Sequence, residues 1–365
     1  MAKEIELKLR LNTQALNPIR EWLNTYAEPQ GHQTLLNDYY DTPDLQLAGA
    51  HAALRIRKKG DRYEQTFKAR SASDDGIPVR HEWNWPLASR ALDASVLAKP
   101  EVQAVWPGVQ PVWPEVQAVW HEPTPESAQK VETAPLSVVF STDFQREAWI
   151  YQDDTSRIEV VLDQGEVSAS GATEPLCELE LELLSGSPES LWTCLERLSD
   201  RAPMWLSDVS KAERGYRLAG VPAQHYHPLP PELDNGQQEH WQDVWTASLF
   251  NVQRACERLV FEQAPVEELW LWGYPLWCAA PDCQPLRALL EAALAAAVTP
   301  GSTALSQSVE SSTMLTQTVR LLAGLRTKSH LASPEAQQSW VEARSRVADV
   351  IECNDTQALT VLLGN

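Results

Sequence analysis

Seven consecutive residues, Cys177 to Leu183, put Glu178, Glu180 and Glu182 on one parity and Cys177, Leu179, Leu181 and Leu183 on the other. Successive side chains of a strand point to opposite faces, so this segment reads as a strand with one charged and one apolar face. A helix would scatter the same carboxylates around its axis. The pattern recurs along the chain. Glu4, Glu6, Lys8 and Arg10 oppose Ile5, Leu7 and Leu9, and Arg55 and Arg57 oppose Leu54 and Ile56. Glu64, Thr66 and Lys68, then Arg80, Glu82 and Asn84, and finally Glu159 and Asp163 behave alike. Eight segments are predicted as strands: 4–11, 35–40, 53–59, 63–68, 79–85, 138–149, 158–163 and 177–184.

Two arrangements satisfy these strands. In one, the charged faces meet water and the apolar faces form the core of a half-exposed sheet. In the other, the sheet closes into a barrel whose interior is lined by the charges. Carboxylates crowded along such a lining would repel one another unless cations sat among them. Mg²⁺ or Mn²⁺ suits that role, since both accept carboxylate oxygens and share their remaining positions with water and phosphate. Arginines and lysines on neighbouring strands would then grip a phosphate chain, Arg in bidentate fashion and Lys as a point charge.

Charge limits what could bind outside such an enclosure. With 30 Lys and Arg against 50 Asp and Glu, the net charge of −20 repels nucleic acid and anionic membrane. The N-terminus, with Lys3, Glu4, Glu6 and Lys8, lacks the order of a signal peptide, and no apolar run approaches a bilayer span. The expectation is a cytoplasmic protein. Its six cysteines form no CxxC pair, which argues against zinc and for buried thiols in a reducing compartment.

The proline-rich stretch Gly220 to Pro231 separates the strands from segments of helical period at 239–263, 285–297, 302–325 and 334–352. Trp241, Trp245, Trp270, Trp272, Trp277 and Trp340 are expected mostly in the core of that all-helical half. Three tandem PxVQxVW copies occupy 100–120, each with a proline that bars a coiled coil. They read as an expanded loop between strands, and Trp106, Trp113 and Trp120 are the alternative of an aromatic docking strip.

Glu4 to Lys8 spells ExExK, and with the blocks Asn37–Pro43, Leu54–Arg57, Thr66–Lys68, Phe140–Arg146, Ile158–Glu166, Cys177–Leu183 and Ser210–Tyr216 it resembles the CYTH, or triphosphate tunnel metalloenzyme, superfamily. The likeness is greatest to bacterial inorganic triphosphatases in which a CYTH domain precedes a helical CHAD-type domain. That resemblance selects the second arrangement. It implies an α+β protein: an eight-stranded antiparallel β-barrel tunnel over residues 1–219, a linker at 220–231, and an all-α bundle over 232–365.

The implied activity is metal-dependent hydrolysis of inorganic triphosphate to diphosphate and phosphate. Class IV adenylate cyclase, a thiamine or nucleoside triphosphatase, or a module that only binds triphosphate or polyphosphate are the alternatives. Position by position, the resemblance implies Glu4, Glu6, Glu82, Glu178, Glu180 and Glu182 as metal ligands for Mg²⁺ or Mn²⁺. It implies Lys8, Arg55, Arg57, Lys68, Arg80, Arg146, Lys211 and Arg214 as the cationic lining, with Lys8, Arg57 and Glu82 acting in the reaction. Arg10, in phase with Lys8 but outside the motif, is expected at the rim or in solvent. Tyr39 and Asp41 read equally as the tunnel mouth or as a turn before Pro43. The helical half is shorter than a typical CHAD domain and lacks its basic, histidine-rich helices. It is expected to serve packing, dimerisation or a protein partner. If the strand half is self-sufficient, a chain without 222–365 keeps its chemistry.

Overall fold

The computed structural model describes residues 3–49, 52–70, 79–93, 95–96, 99–103, 136–229, 238–297, 305, 307–326, 333–353 and 358–362, a few of them by backbone alone. Of the tryptophan repeat at 100–120, the first four residues form a short helix where a loop was expected, and residues 104–120 with all three tryptophans lie outside the described residues. The strands are β1 Lys3–Leu11, β2 Glu28–Asp41, β3 Ala52–Lys59, β4 Arg62–Arg70, β5 Val79–Leu87, β6 Ser137–Gln152, β7 Arg157–Ala169, β8 Ala172–Ser185 and β9 Met204–Leu206. All pair antiparallel in one sheet of order β5-β4-β3-β2-β6-β7-β8-β1-β9, and β1 also pairs β5 through Lys3 to Ile5. All eight expected strands are present. The ninth, β9, has only three residues and shows no period to read.

Helices α1 Leu16–Tyr26, α2 Gln46–Gly49, α3 Pro100–Gln103, α4 Glu189–Ser199 and α5 Lys211–Leu218 lie between or after the strands. The C-terminal half contributes α6 Gln238–Phe261, α7 Val266–Ala279, α8 Gln284–Ala297, α9 Val309–Arg326, α10 Pro334–Glu352 and α11 Ala358–Leu362. The expected helices are met by α6, α8, α9 and α10, while α7 escapes a periodicity reading because it is apolar on nearly every face. Its Pro275 offers no N–H to the carbonyl of Leu271. Arg344 Nη1 donates to that oxygen instead, at 3.2 Å, with its guanidinium over the Trp272 ring.

The apolar faces of β1, β7 and β8 are covered by helices. Leu7, Leu9 and Leu11 of β1, Ile158, Val160 and Leu162 of β7, and Leu179 and Leu181 of β8 pack with α1 and α4 and, in the same continuous cluster, with Trp241, Val244, Trp245 and Val252 of α6. Each such side chain taken from water contributes about 1.5–3 kcal/mol, so these three strands are held by helices on their apolar faces, and their charged positions are left to the opposite face. Five of the six tryptophans of the helical half are buried, and Trp277 is half-buried against the same cluster.

The two halves are also joined by charge. Arg254 of α6 donates through Nε to Asp208, at 2.9 and 3.1 Å, and His227 Nε2 lies 2.6 Å from the same carboxylate. Burial pushes the Asp208 carboxyl up, but Arg254 and His227 outweigh it and hold the group well below its ordinary value. A depressed carboxyl stabilises the fold above its unfolded value, near 3.9, and loses that contribution as acid reaches the folded value. The melting-temperature gap between the native chain and Asp208→Asn is therefore expected to be full at pH 7 and to shrink below about pH 4. A gap independent of pH would remove the ionic contribution.

Candidate functional site

Strand parity and helix α5 together build the site. Inward-facing positions of β1, β3, β4, β5, β6 and β8 surround a cavity of about 660 Å³. Its wall includes Glu6, Lys8, Arg55, Arg57, Glu64 and Lys68, then Glu82, Asn84, Arg146, Glu180 and Glu182, with Tyr39 from β2 and Lys211 from α5. Beyond α5 the cavity continues along residues 221–228 and the Arg254, Glu257 and Arg258 face of α6.

Strand register sorts the charges. Glu6, Glu182 and Glu159 stand opposite one another on β1, β8 and β7, and burial together with Glu6 and Glu159 pushes Glu182 up to about 6. Four residues along, Arg10, Glu178, Asp163 and Arg146 form a second row across β1, β8, β7 and β6. Arg146 donates through Nε and Nη2 to the two Asp163 oxygens at 2.7 and 2.6 Å, and through Nη2 to Glu180 at 2.8 Å. Lys211 Nζ lies 2.8 Å from Asp163 and 3.0 Å from Glu180, and also donates to Glu178. Burial pushes Glu180 up, yet Lys211, Arg146 and Lys8 together hold it well below the usual range.

The opposite wall is cationic. Arg57 Nε donates to Asn37 Oδ1 at 2.7 Å, and Asn37 is fixed in turn by its amide to Thr142 Oγ1 at 2.9 Å. Burial, then Arg55 and Arg146, pull Arg57 down to about 9. Tyr39 is buried beside these cations: burial raises its phenol, but Arg55, Arg57 and Lys211 outweigh it, so the group sits below its ordinary value. On β4 and β5, Lys68 and Glu82 are paired in register and in contact, with Arg55 Nη2 3.7 Å from Glu82.

Ten of the residues singled out from sequence therefore meet in one cavity: Glu6, Lys8, Arg55, Arg57, Lys68, Glu82, Arg146, Glu180, Glu182 and Lys211. Glu178 and Arg214 are not on its wall. Glu178 is fully buried behind Lys211, and the Arg214 guanidinium, 1% exposed, lies 3.7–4.0 Å from Glu174, Glu178 and Glu257. Glu4 and Arg80 are backbone partners in the β1–β5 register, and their side chains are outside the described residues.

One expectation changes, and one open alternative is decided. Arg10 is not at a rim: it is buried, donates to Glu257 of α6 at 3.0 Å and to Glu174 at 3.3 Å, and lies over the Phe261 ring. Asp41 takes the turn role, accepting from the backbone of Thr42, Leu47 and Ala48, and it also accepts from Tyr216 of α5. α5 is itself seated so closely that a Cβ on Gly215 would come within 2.0 Å of the Phe140 ring. Asp163, fully buried between Arg146 and Lys211, lies in the block Ile158–Glu166 and shares a face with Glu159, yet the resemblance implied no role for it. Arg254 and Glu257 carried no sequence signal, since charges at helical spacing read as a solvated face, and Asp208 lies in the short connection between β9 and α5.

Among the described residues, the tightest group of carboxylates with metal-ligand spacing is Asp163, Glu178 and Glu180, with oxygens within 4.8 Å of one another. Lys211 already touches all three. No helix among the described residues is long and apolar enough to cross a membrane.

Residues 2–216 match the family model of the CYTH domain. The chain is 32% identical over 220 residues to an inorganic triphosphatase of Haemophilus influenzae, a match covering 60% of this chain and 55% of that protein, so the chain spans about half the length of that relative. A Hippeastrum protein named as an adenylyl cyclase, with a dominant triphosphatase activity, is similar at 20% identity and a TM-score of 0.39, covering 60% of this chain and 98% of its own. A Pyrococcus horikoshii protein is similar at 18% identity and a TM-score of 0.31, over 54% and 86%. With the family model matched across more than half of its length, the chain belongs to the CYTH family.

Proposed function

We propose that the cavity hydrolyses inorganic triphosphate to diphosphate and phosphate with Mg²⁺ or Mn²⁺. The observation that carries this reading is the gathering of Arg55, Arg57, Arg146 and Lys211 on one cavity, where burial and the neighbouring arginines pull Arg57 down to about 9. Cations that repel one another in a buried site are relieved by a polyanion lying among them. In this reading the β1–β5 pairing closes eight strands into a tunnel, with β9 outside the ring, followed by a linker at 220–231 and a helical bundle.

The residues present fit a hard divalent ion. Glu6 and Glu182 face one another, with Glu182 pushed up to about 6 by burial, Glu6 and Glu159. A second positive centre would relieve that repulsion, and oxygen donors are what Mg²⁺ and Mn²⁺ prefer. Glu6, Glu182 and Glu180 would hold it, with Glu82 near a second ion. Bound there, such an ion neutralises phosphate charge and lowers the pKa of water.

The chain's own groups do the rest. Lys8, Arg55, Arg57 and Lys68 hold the phosphate oxygens in line, and Arg146 and Lys211, fixed by Asp163, stabilise charge on the bridging oxygen as the P–O bond breaks. Being oriented in advance by Asn37 and Asp163, these cations need no reorganisation at the moment of reaction. Glu82 orients the attacking water and accepts its proton. Glu178 holds Lys211, with the buried Arg214 behind it.

Phosphate release from tripolyphosphate, ATP, thiamine triphosphate and long-chain polyphosphate, each with Mg²⁺, Mn²⁺ or EDTA, tests the assignment. EDTA-sensitive release from tripolyphosphate well above the others is the expected result. Preference for ATP or thiamine triphosphate would replace the substrate, and thermal protection by tripolyphosphate without release would leave a binding module.

A further inference from the structure

Lys211 is the first residue of α5, and Ser210 caps that helix by accepting from the Glu213 N–H at 3.0 Å. Eight residues are too few to fix a helix by their own hydrogen bonds, so its start must be held from outside. The outside hold comes from α6, in the helical half. Arg254 donates through Nε to Asp208, three residues before Lys211, and through Nη1 and Nη2 to the two oxygens of Glu213, two residues after it, at 2.9 and 3.1 Å. One buried guanidinium thus clamps both flanks of the lysine.

One turn further along α6, Glu257 accepts from Ser207 Oγ at 2.5 Å and from Arg10 of β1 at 3.0 Å. The Ser207 N–H donates in turn to the Lys8 carbonyl at 2.9 Å. Residues 207–213 are therefore stretched between β1, which carries Lys8, and α6. Lys211 and Lys8 both belong to the cavity wall.

We infer that Arg254 is a positioning residue that acts through Lys211, and that the helical half is a working part of the phosphate site. The inference rests on the triphosphatase reading for its kinetic test and on geometry alone for its structural one. Arg254→Met is expected to lower kcat/KM for tripolyphosphate about ten-fold, an effect of the size that packed networks transmit to a site. Combined with Lys211→Gln it is expected to lower the remaining rate less than two-fold, because the group it aims has gone. An undiminished second effect would mean that Arg254 meets substrate directly, and would overturn the inference.

Backbone amide exchange in the full chain supplies the reading that needs no turnover. Arg254→Met is expected to speed exchange at residues 207–214 about ten-fold or more while β7 and β8 keep their protection. Unchanged exchange at 207–214 would overturn the inference while leaving the triphosphatase reading standing. A native chain inert toward every phosphate substrate, with exchange faster in the variant, would sink the reading and leave the clamp.

Discussion

Glu180→Gln is expected to lower tripolyphosphate turnover by two to three orders of magnitude with little change in melting temperature. The two halves of that result have separate causes. Glu180 is in contact with Arg146 and Lys211 and faces the cavity, so its charge acts where phosphate and metal would meet. Loss of one preorganised group of that kind removes about 10²–10³ in rate. The fold survives because neither cation is orphaned: Arg146 keeps both bonds to Asp163, and Lys211 keeps Asp163 and Glu178. Steady-state phosphate release and a thermal melt on one preparation check both halves. Turnover within three-fold of native would take Glu180 out of the chemistry.

The second large effect concerns the helical half. A chain ending at residue 221 is expected to be insoluble, or to bind hydrophobic dye and lack a cooperative melt. The expectation from sequence, that a self-sufficient strand half keeps its chemistry, meets a physical obstacle. Leu7, Leu9, Trp205 and Leu206 share one continuous core with Trp241, Val244, Trp245 and Val252. Cutting the chain exposes that face and removes Glu257 from beside Arg10 and Arg214. Stripping one partner from a buried ion pair costs about 3–5 kcal/mol, a large share of a domain's stability. A soluble 1–221 chain with a sharp melt would show instead that the strand half stands alone.

The parts of this protein that could be read from sequence are those where the local pattern and the final environment agree. β1 and β8 alternate with period two because one face meets the cavity and the other meets helices, so parity alone assigned Glu6, Lys8, Glu180 and Glu182 to one side. Arg10 obeys the same parity and still could not be placed. Its partner Glu257 is 247 positions away, and nothing near either residue announces the other. β9 is too short for a period, α7 is apolar all round, and Arg254 looks like any solvated helix charge until Asp208 and Glu213 are seen on either side of it. Asp163 was within reach, since its parity matches Glu159 and it lies in the block Ile158–Glu166, but neither signal gives it a role.

The long-range pairings also order events in time. β1 is made before the other strands and meets β5 by residue 87, yet its longer partner β8 ends at Ser185 and the carboxylate that meets Arg10 is residue 257. Residues 6–10 of that strand must therefore wait for partners that lie well over a hundred positions later in the chain. A nascent chain stalled before residue 254 would hold Lys8, Arg55, Arg57, Lys68, Arg146 and Lys211 and still lack the guanidinium that aims the last of them, so competence should arrive late and abruptly as synthesis passes that helix.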